Sequence, residues 1–198
     1  SSPASGDWSS ITINSEGNAL FDHVEILFGG YYRSMVEALT DSTLSVTNSI
    51  IEYSGKYGIL SQTDSPIITD NIFNFCSDYG IYLNDAANST PITPEIRDNV
   101  INNTPLPIYI AAYNDGLTGE RTITNNSGSG NTYNGIMISG KFMGTSTLSA
   151  DNGFYWYFPK STTSFNVTVA SSAILTLDPG VIIKKGAADD YYNGIDVQ

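Results

Sequence analysis

The sequence predicts an all-β chain folded as a parallel β-helix of about five or more coils with an asparagine ladder. Three observations lead there. Gly, Asn, Ser and Thr are abundant while Leu, Ala, Glu and Lys are scarce, which disfavours long helices and favours short strands joined by turns. A segment recurs with a period of about 20 to 30 residues, the signature of a solenoid. Each copy alternates apolar and polar residues, turns and alternates again, so no copy buries its apolar face until another stacks on it.

The elements follow in order. "ALFDHVEILFGGYYRSMVEAL", from Ala19, carries the apolar rhythm of the repeat with Asp22 or His23 where an asparagine stands later. "DSTLSVTNSIIEYSGKYGILSQ" from Asp41 aligns with "DSPIITDNIFNFCSDYGIYLND" from Asp64. Leu44 falls over Ile67 and Asn48 over Asn71; after a one-residue deletion, Tyr57-Gly58-Ile59 falls over Tyr79-Gly80-Ile81. "PEIRDNVINNTPLPIYIAA" places Asn99 nine residues before Ile108, and "RTITNNSGSGNTYNGIMIS" places Asn126 nine before Gly135. Coils this short leave no room for helical crossovers, so their strands pair with counterparts about 4.8 Å away in the next coil. Asn48, Asn71, Asn99 and Asn126 are expected to form a ladder. Asparagine tolerates the left-handed turn between strands, and its amide both donates and accepts. In the Tyr-Gly-Ile steps, glycine relaxes the next turn and isoleucine points inward.

"N-x-I" followed by "Y-G-I", "GDWSSITI" with "FDHVEILFGG", and "LTLDPGVIIKKG" near the end resemble the right-handed parallel β-helix repeats of pectate-lyase-like proteins and of large bacterial and archaeal surface proteins. The resemblance covers nearly the whole chain. It implies right-handed coils, an extracellular or cell-surface setting and a structural or adhesive rod. In those surface proteins the "LTLDPGVIIK"-like stretch precedes the "GDWSSITI"-like one, and here the order is reversed. Residues 1–145 therefore read as β-helix coils, 146–165 as an irregular aromatic-rich join, and 166–198 as the start of a further coil or module. Unfinished coils at both ends invite strand pairing, either with the continuation of a longer chain or with a second copy head to tail.

A formal charge of -12 with only eight Lys and Arg repels a phosphate backbone and excludes nucleic acid as a partner class. No apolar run approaches the length that spans a bilayer, so no membrane insertion is expected. Cys76 is the only cysteine and lies in an apolar stretch, which leaves no disulfide framework and no cysteine-based zinc site.

Candidate chemistry concentrates on the position before the ladder asparagine, read as Thr47, Asp70, Asp98 and Asn125 in successive coils. Asp70 and Asp98 then stand one strand spacing apart. That pair fits a solvated edge neutralised by Arg97 or water, a Ca²⁺ site, or an acid/base pair. No cofactor is otherwise expected. The resemblance also implies a rival reading, a polysaccharide lyase or glycoside hydrolase acting on acidic glycans, with Asp70, Asp98, Arg97, Arg121 and Lys141 as its ingredients. None of the clustered Asp-Asp, Gly-His-Gly or Arg-x-Lys signatures of such enzymes is present. His23 is the lone histidine. Tyr31, Tyr32, Tyr155 and Trp156 are candidates for stacking on sugar rings of cell-surface glycans, or else for interior stacks and caps. Four N-x-S/T sequons, at Asn88, Asn102, Asn125 and Asn166, are no more than chance supplies in so Asn-, Ser- and Thr-rich a chain.

Overall fold

A computed structural model describes residues 2–85, 91–117, 122–158, 167–185 and 195–198, and every regular element in them is a β-strand. After β1 (Ile11–Ile13) come four three-sided coils. They are β2 (Asn18–Asp22), β3 (Glu25–Leu27) and β4 (Ser34–Ala38); β5 (Thr43–Thr47), β6 (Ile50–Glu52) and β7 (Tyr57–Ser61); β8 (Ile67–Thr69), β9 (Ile72–Asn74) and β10 (Tyr79–Asn84); and β11 (Glu95–Arg97), β12 (Val100–Asn102) and β13 (Leu106–Leu117). In the next coil, between β14 (Thr122–Thr124) and β15 (Gly135–Phe142), the middle side shrinks to one bridge from Ser127 to Val100. β16 (Thr145–Leu148), β17 (Tyr155–Phe158), β18 (Val167–Val169), β19 (Ile174–Leu177), β20 (Ile183–Lys185) and β21 (Ile195–Val197) follow. The result is an all-β parallel solenoid of about six turns.

Each side of the coil stacks into a parallel sheet. The long sheet runs β1-β4-β7-β10-β13-β15-β17-β20, the second β2-β5-β8-β11-β14 and the third β3-β6-β9-β12. Within the segment expected to be an irregular join, residues 146–165, β17 continues the long sheet. β16 reaches into that segment and pairs with β19, and residues 159–165 of it lie outside the described residues.

Register turns the repeat into a core. Val36, Ile59, Ile81, Ile108, Ile136 and Trp156 form one inward column across the long sheet. Val46, Ile68, Ile96 and Ile123 form a second, and Ile26, Ile51, Phe73 and Ile101 a third. Each such side chain contributes about 1.5–3 kcal/mol on burial. Trp156 belongs to this core, only 2% exposed and with its Nε1 donating to the Ser149 carbonyl at 3.0 Å. That corrects its reading as a sugar-stacking residue. Alternation along β17 sends Tyr155 and Tyr157 outward and Trp156 in.

Two corners carry left-handed residues in columns. His23, Asn48, Asp70, Asp98 and Asn125, at φ of 50° to 59°, turn the chain from the second sheet to the third. The left-handed residue is thus the one before the ladder asparagine. Asn48 stands in this corner column, in the place expected for Thr47, and Ser49 occupies the ladder position. At the far end of the third sheet, Phe28, Tyr53 and Phe75 are also left-handed, an unfavourable conformation for bulky residues. Their rings stack at 5.0 and 5.1 Å, nearly parallel, and the stacking offsets part of that strain.

The ladder itself is complete at Asn71, Asn99 and Asn126. Asn99 accepts at Oδ1 from the backbone N and the Nδ2 of Asn71 at 3.1 and 3.0 Å. It donates from Nδ2 to the Ile68 carbonyl at 2.8 Å and to Asn126 Oδ1 at 2.9 Å. Asn71 Oδ1 accepts from Ser49 N at 2.9 Å, and Ser49 Oγ accepts from Val24 N at 3.1 Å, which ends the row.

Cys76 is buried next to the second corner, where burial, above all else, pushes its thiol up to about 12. With almost no thiolate at neutral pH, it should resist iodoacetamide in the folded protein and react once the chain is unfolded in urea, as intact-mass measurement reads directly.

Candidate functional site

The acidic corner lies where the second sheet turns into the third. Asp70 and Asp98 are corner neighbours in successive coils, and Arg97, at the end of β11, reaches between them. Arg97 Nη1 lies 2.9 Å from Asp98 Oδ2 and 3.7 Å from Asp70 Oδ2, and its Nε lies 2.7 Å from Glu95 Oε1. The hydrogen bonds it donates to Glu95 and then Asp98 push the guanidinium above its usual range. The cation stands between the two carboxylates, the arrangement of a neutralised edge. Among the described residues no group of three or more His, Cys, Asp and Glu side chains is placed to hold a metal ion. Lys141 lies on β15 of the long sheet, away from this corner, and Arg121 lies outside the described residues.

His23 is exposed, with Nδ1 2.8 Å from Asp22 Oδ2. Asp22 also accepts from Asn48 Nδ2 at 2.8 Å and Thr47 Oγ1 at 2.7 Å, and these bonds, Asn48 first, lower its carboxyl to about 2. The sequence pair Asp22-His23 is therefore a corner clasp.

Tyr31 and Tyr32 are 60% and 71% exposed and meet edge to face at 4.3 Å. Tyr31, with Gly6, Asp7, Trp8 and Ser9, lines a shallow cavity of about 210 Å³ at the first coil. Tyr155 is half-buried; Lys184 Nζ sits 3.9 Å above its ring. The "DDYY" run from Asp189 and the sequons at Asn88 and Asn166 lie outside the described residues.

Tyr155 belongs to a larger arrangement, a tyrosine-rich face of the long sheet. Tyr57 and Tyr79, at the start of the long sheet's strands, stack at 5.2 Å and 8°. Tyr82 and Tyr109, three residues into β10 and β13, stack at 5.0 Å and 5°. The rows interlock edge to face, Tyr82 on Tyr57 at 5.2 Å and Tyr79 on Tyr109 at 5.3 Å. Further along, Tyr133 meets Tyr157 at 5.2 Å and Tyr157 meets Tyr155 at 6.4 Å. Seven of the chain's 13 tyrosines thus share the outer surface of one sheet. The signal was available in sequence: extending the Tyr-Gly-Ile alignment to its outward position reads Leu60, Tyr82, Tyr109, Met137 and Tyr157.

Both rows then break off. Leu106 follows Tyr79 in the first row and Met137 follows Tyr109 in the second, and there a cleft of about 380 Å³ opens. Asp78, Tyr79, Pro105, Leu106, Tyr133, Met137 and Tyr157 line it.

The family model described as the right-handed beta helix region matches residues 7–118, more than half of the chain and all of the first four coils. The chain belongs to the right-handed β-helix family. No curated protein and no solved structure was found to match it. Within this β-helix the matched region contains the asparagine ladder as far as Asn99 and the tyrosine rows as far as Tyr109. No helix among the described residues is long and apolar enough to cross a membrane.

Proposed function

We propose that this β-helix is a rigid rod segment, set outside the cell or on its surface, whose tyrosine face binds a carbohydrate without transforming it. The observation that carries the reading is the gathering of Tyr57, Tyr79, Tyr82, Tyr109, Tyr133, Tyr155 and Tyr157 onto one face. An aromatic ring with a hydroxyl tip offers an apolar plane and a polar handle, which is what a sugar ring presents in return. The surface location rests on the sequence resemblance to surface-protein repeats. Open strand edges support head-to-tail pairing with a second copy. Among the described residues β1 and β20 end the main path of the long sheet, and Ile174, Leu177, Ile182 and Val197 stand exposed on the late strands and the turn between them.

The rival reading is a lyase or hydrolase built on Asp70, Asp98 and Arg97. Both are tested by incubating the protein with a panel of neutral and uronate polysaccharides, with Ca²⁺ present, and measuring retention and new reducing ends or unsaturated products together. The expected result is retention by at least one glycan and no turnover. Turnover that Asp70→Asn or Asp98→Asn abolishes would replace this proposal with the enzyme reading.

A further inference from the structure

We infer that the 380 Å³ cleft in the tyrosine face is a subsite for one neutral sugar ring, and that Asp78 is its specificity residue, accepting sugar hydroxyls and turning away uronates. The inference rests on the carbohydrate-binding reading above and adds to it the class of sugar.

The cleft opens where the stacked tyrosine pairs break off. Successive tyrosines stack at 5.0 to 5.2 Å along the coils. Where Leu106 replaces the ring, two coil steps separate the Tyr79 coil from the Tyr133 coil, about 10 Å at the spacing of parallel strands. Tyr79 and Tyr133 both line the cleft, and a span of that size between their coils admits one sugar ring. Leu106 and Met137 form an apolar floor, Leu106 almost wholly buried. Tyr133, 46% exposed, supplies an open wall. The volume lies in the range of small-molecule sites.

Charge then selects among sugars. Asp78 carries the only charge among the described residues that line the cleft. Two lysines near the tyrosines lie against other rings, Lys56 Nζ 5.0 Å from the Tyr57 ring and Lys184 Nζ 3.9 Å from the Tyr155 ring. Asp78 is held in place by its backbone, its N donating to the Lys56 carbonyl at 3.0 Å and its carbonyl accepting from Leu106 N at 3.2 Å. A carboxylate so placed accepts from hydroxyl donors, and such charge-assisted bonds are the stronger kind. Against a uronate the same group is a like charge, and like-charge juxtaposition disfavours the wrong partner. The net charge of -12 acts in the same direction at longer range.

The test is calorimetric titration of the whole chain with cellohexaose, mannohexaose and hexagalacturonate. It compares wild type, Asp78→Asn, Asp78→Ser and Tyr82→Ala, each confirmed folded by its urea midpoint. The wild type should bind a neutral hexasaccharide at least tenfold more tightly than hexagalacturonate. Both Asp78 variants should shrink that ratio tenfold or more, whereas Tyr82→Ala should weaken all ligands and keep the ratio. An unchanged ratio in folded Asp78 variants, or wild-type preference for hexagalacturonate, overturns this inference and leaves the tyrosine-face reading standing. Absence of wild-type binding to all three overturns both.

Discussion

Replacing Asn99 by leucine should destabilise the β-helix by about 3–6 kcal/mol, one of the largest effects any single substitution is expected to produce. Leucine keeps the branched outline and the number of heavy atoms but removes an amide whose donors and acceptor are all used. Asn71 N loses its bond to Asn99 Oδ1, and the Ile68 carbonyl loses its bond from Asn99 Nδ2. Both losses fall inside the buried ladder, where each unsatisfied group costs about 1–3 kcal/mol. Asn71 Nδ2 and Asn126 Oδ1 each lose one further partner, and a network loses more than its pairs suggest. The comparison is Asn48→Gly. Asn48 is exposed at the corner with φ of 50°, a conformation glycine adopts freely, so the change should cost less than about 1 kcal/mol. Urea midpoints of the two variants read the difference. Equal losses would mean that the ladder does not hold the coils together.

Asn48 and Asn99 also mark how far the sequence could be read. The repeat, the all-β composition and the ladder asparagines were legible because each follows from a period and a residue type. The register at Asn48 was not. A one-residue shift moves asparagine from ladder to corner, and serine at the next position serves as ladder member just as well. The Tyr-Gly-Ile glycines were read as turn residues, yet neither Gly58 nor Gly80 is left-handed. What excludes a side chain there is close approach of the coils. A Cβ on Gly58 would lie 2.6 Å from the Gly80 carbonyl oxygen, and one on Gly80 2.9 Å from that of Pro107. Such contacts between coils are invisible until the coils are stacked. The candidate site was legible in its residue type, since tyrosine abundance was plain. Its place was not: Tyr155 belongs to the face, Trp156 to the core and Asp70 with Asp98 to an Arg97-bridged edge.

The double substitution Tyr82→Ala with Tyr109→Ala should weaken glycan binding at least about 30-fold, the loss expected when hot-spot aromatics worth about 2 kcal/mol are truncated. The same change removes one stacked pair and its edge-to-face contacts with Tyr57 and Tyr79, so some stability is lost as well. Each aromatic pair is worth about 0.5–1.5 kcal/mol, and the core columns of Ile81 and Ile108 behind the strands are untouched. The coil should therefore persist while its surface stops binding. Tyr53→Ala separates the two effects. Tyr53 is stacked between Phe28 and Phe75 at 5.0 and 5.1 Å, as closely as Tyr82 on Tyr109, but it stands at the corner that closes the third sheet rather than on the long sheet's face. Removing it should lower the urea midpoint by a similar amount and leave affinity unchanged. If Tyr53→Ala weakened binding as much as the double variant, affinity would follow the general firmness of the solenoid, and the tyrosine face would lose its claim to be the binding surface.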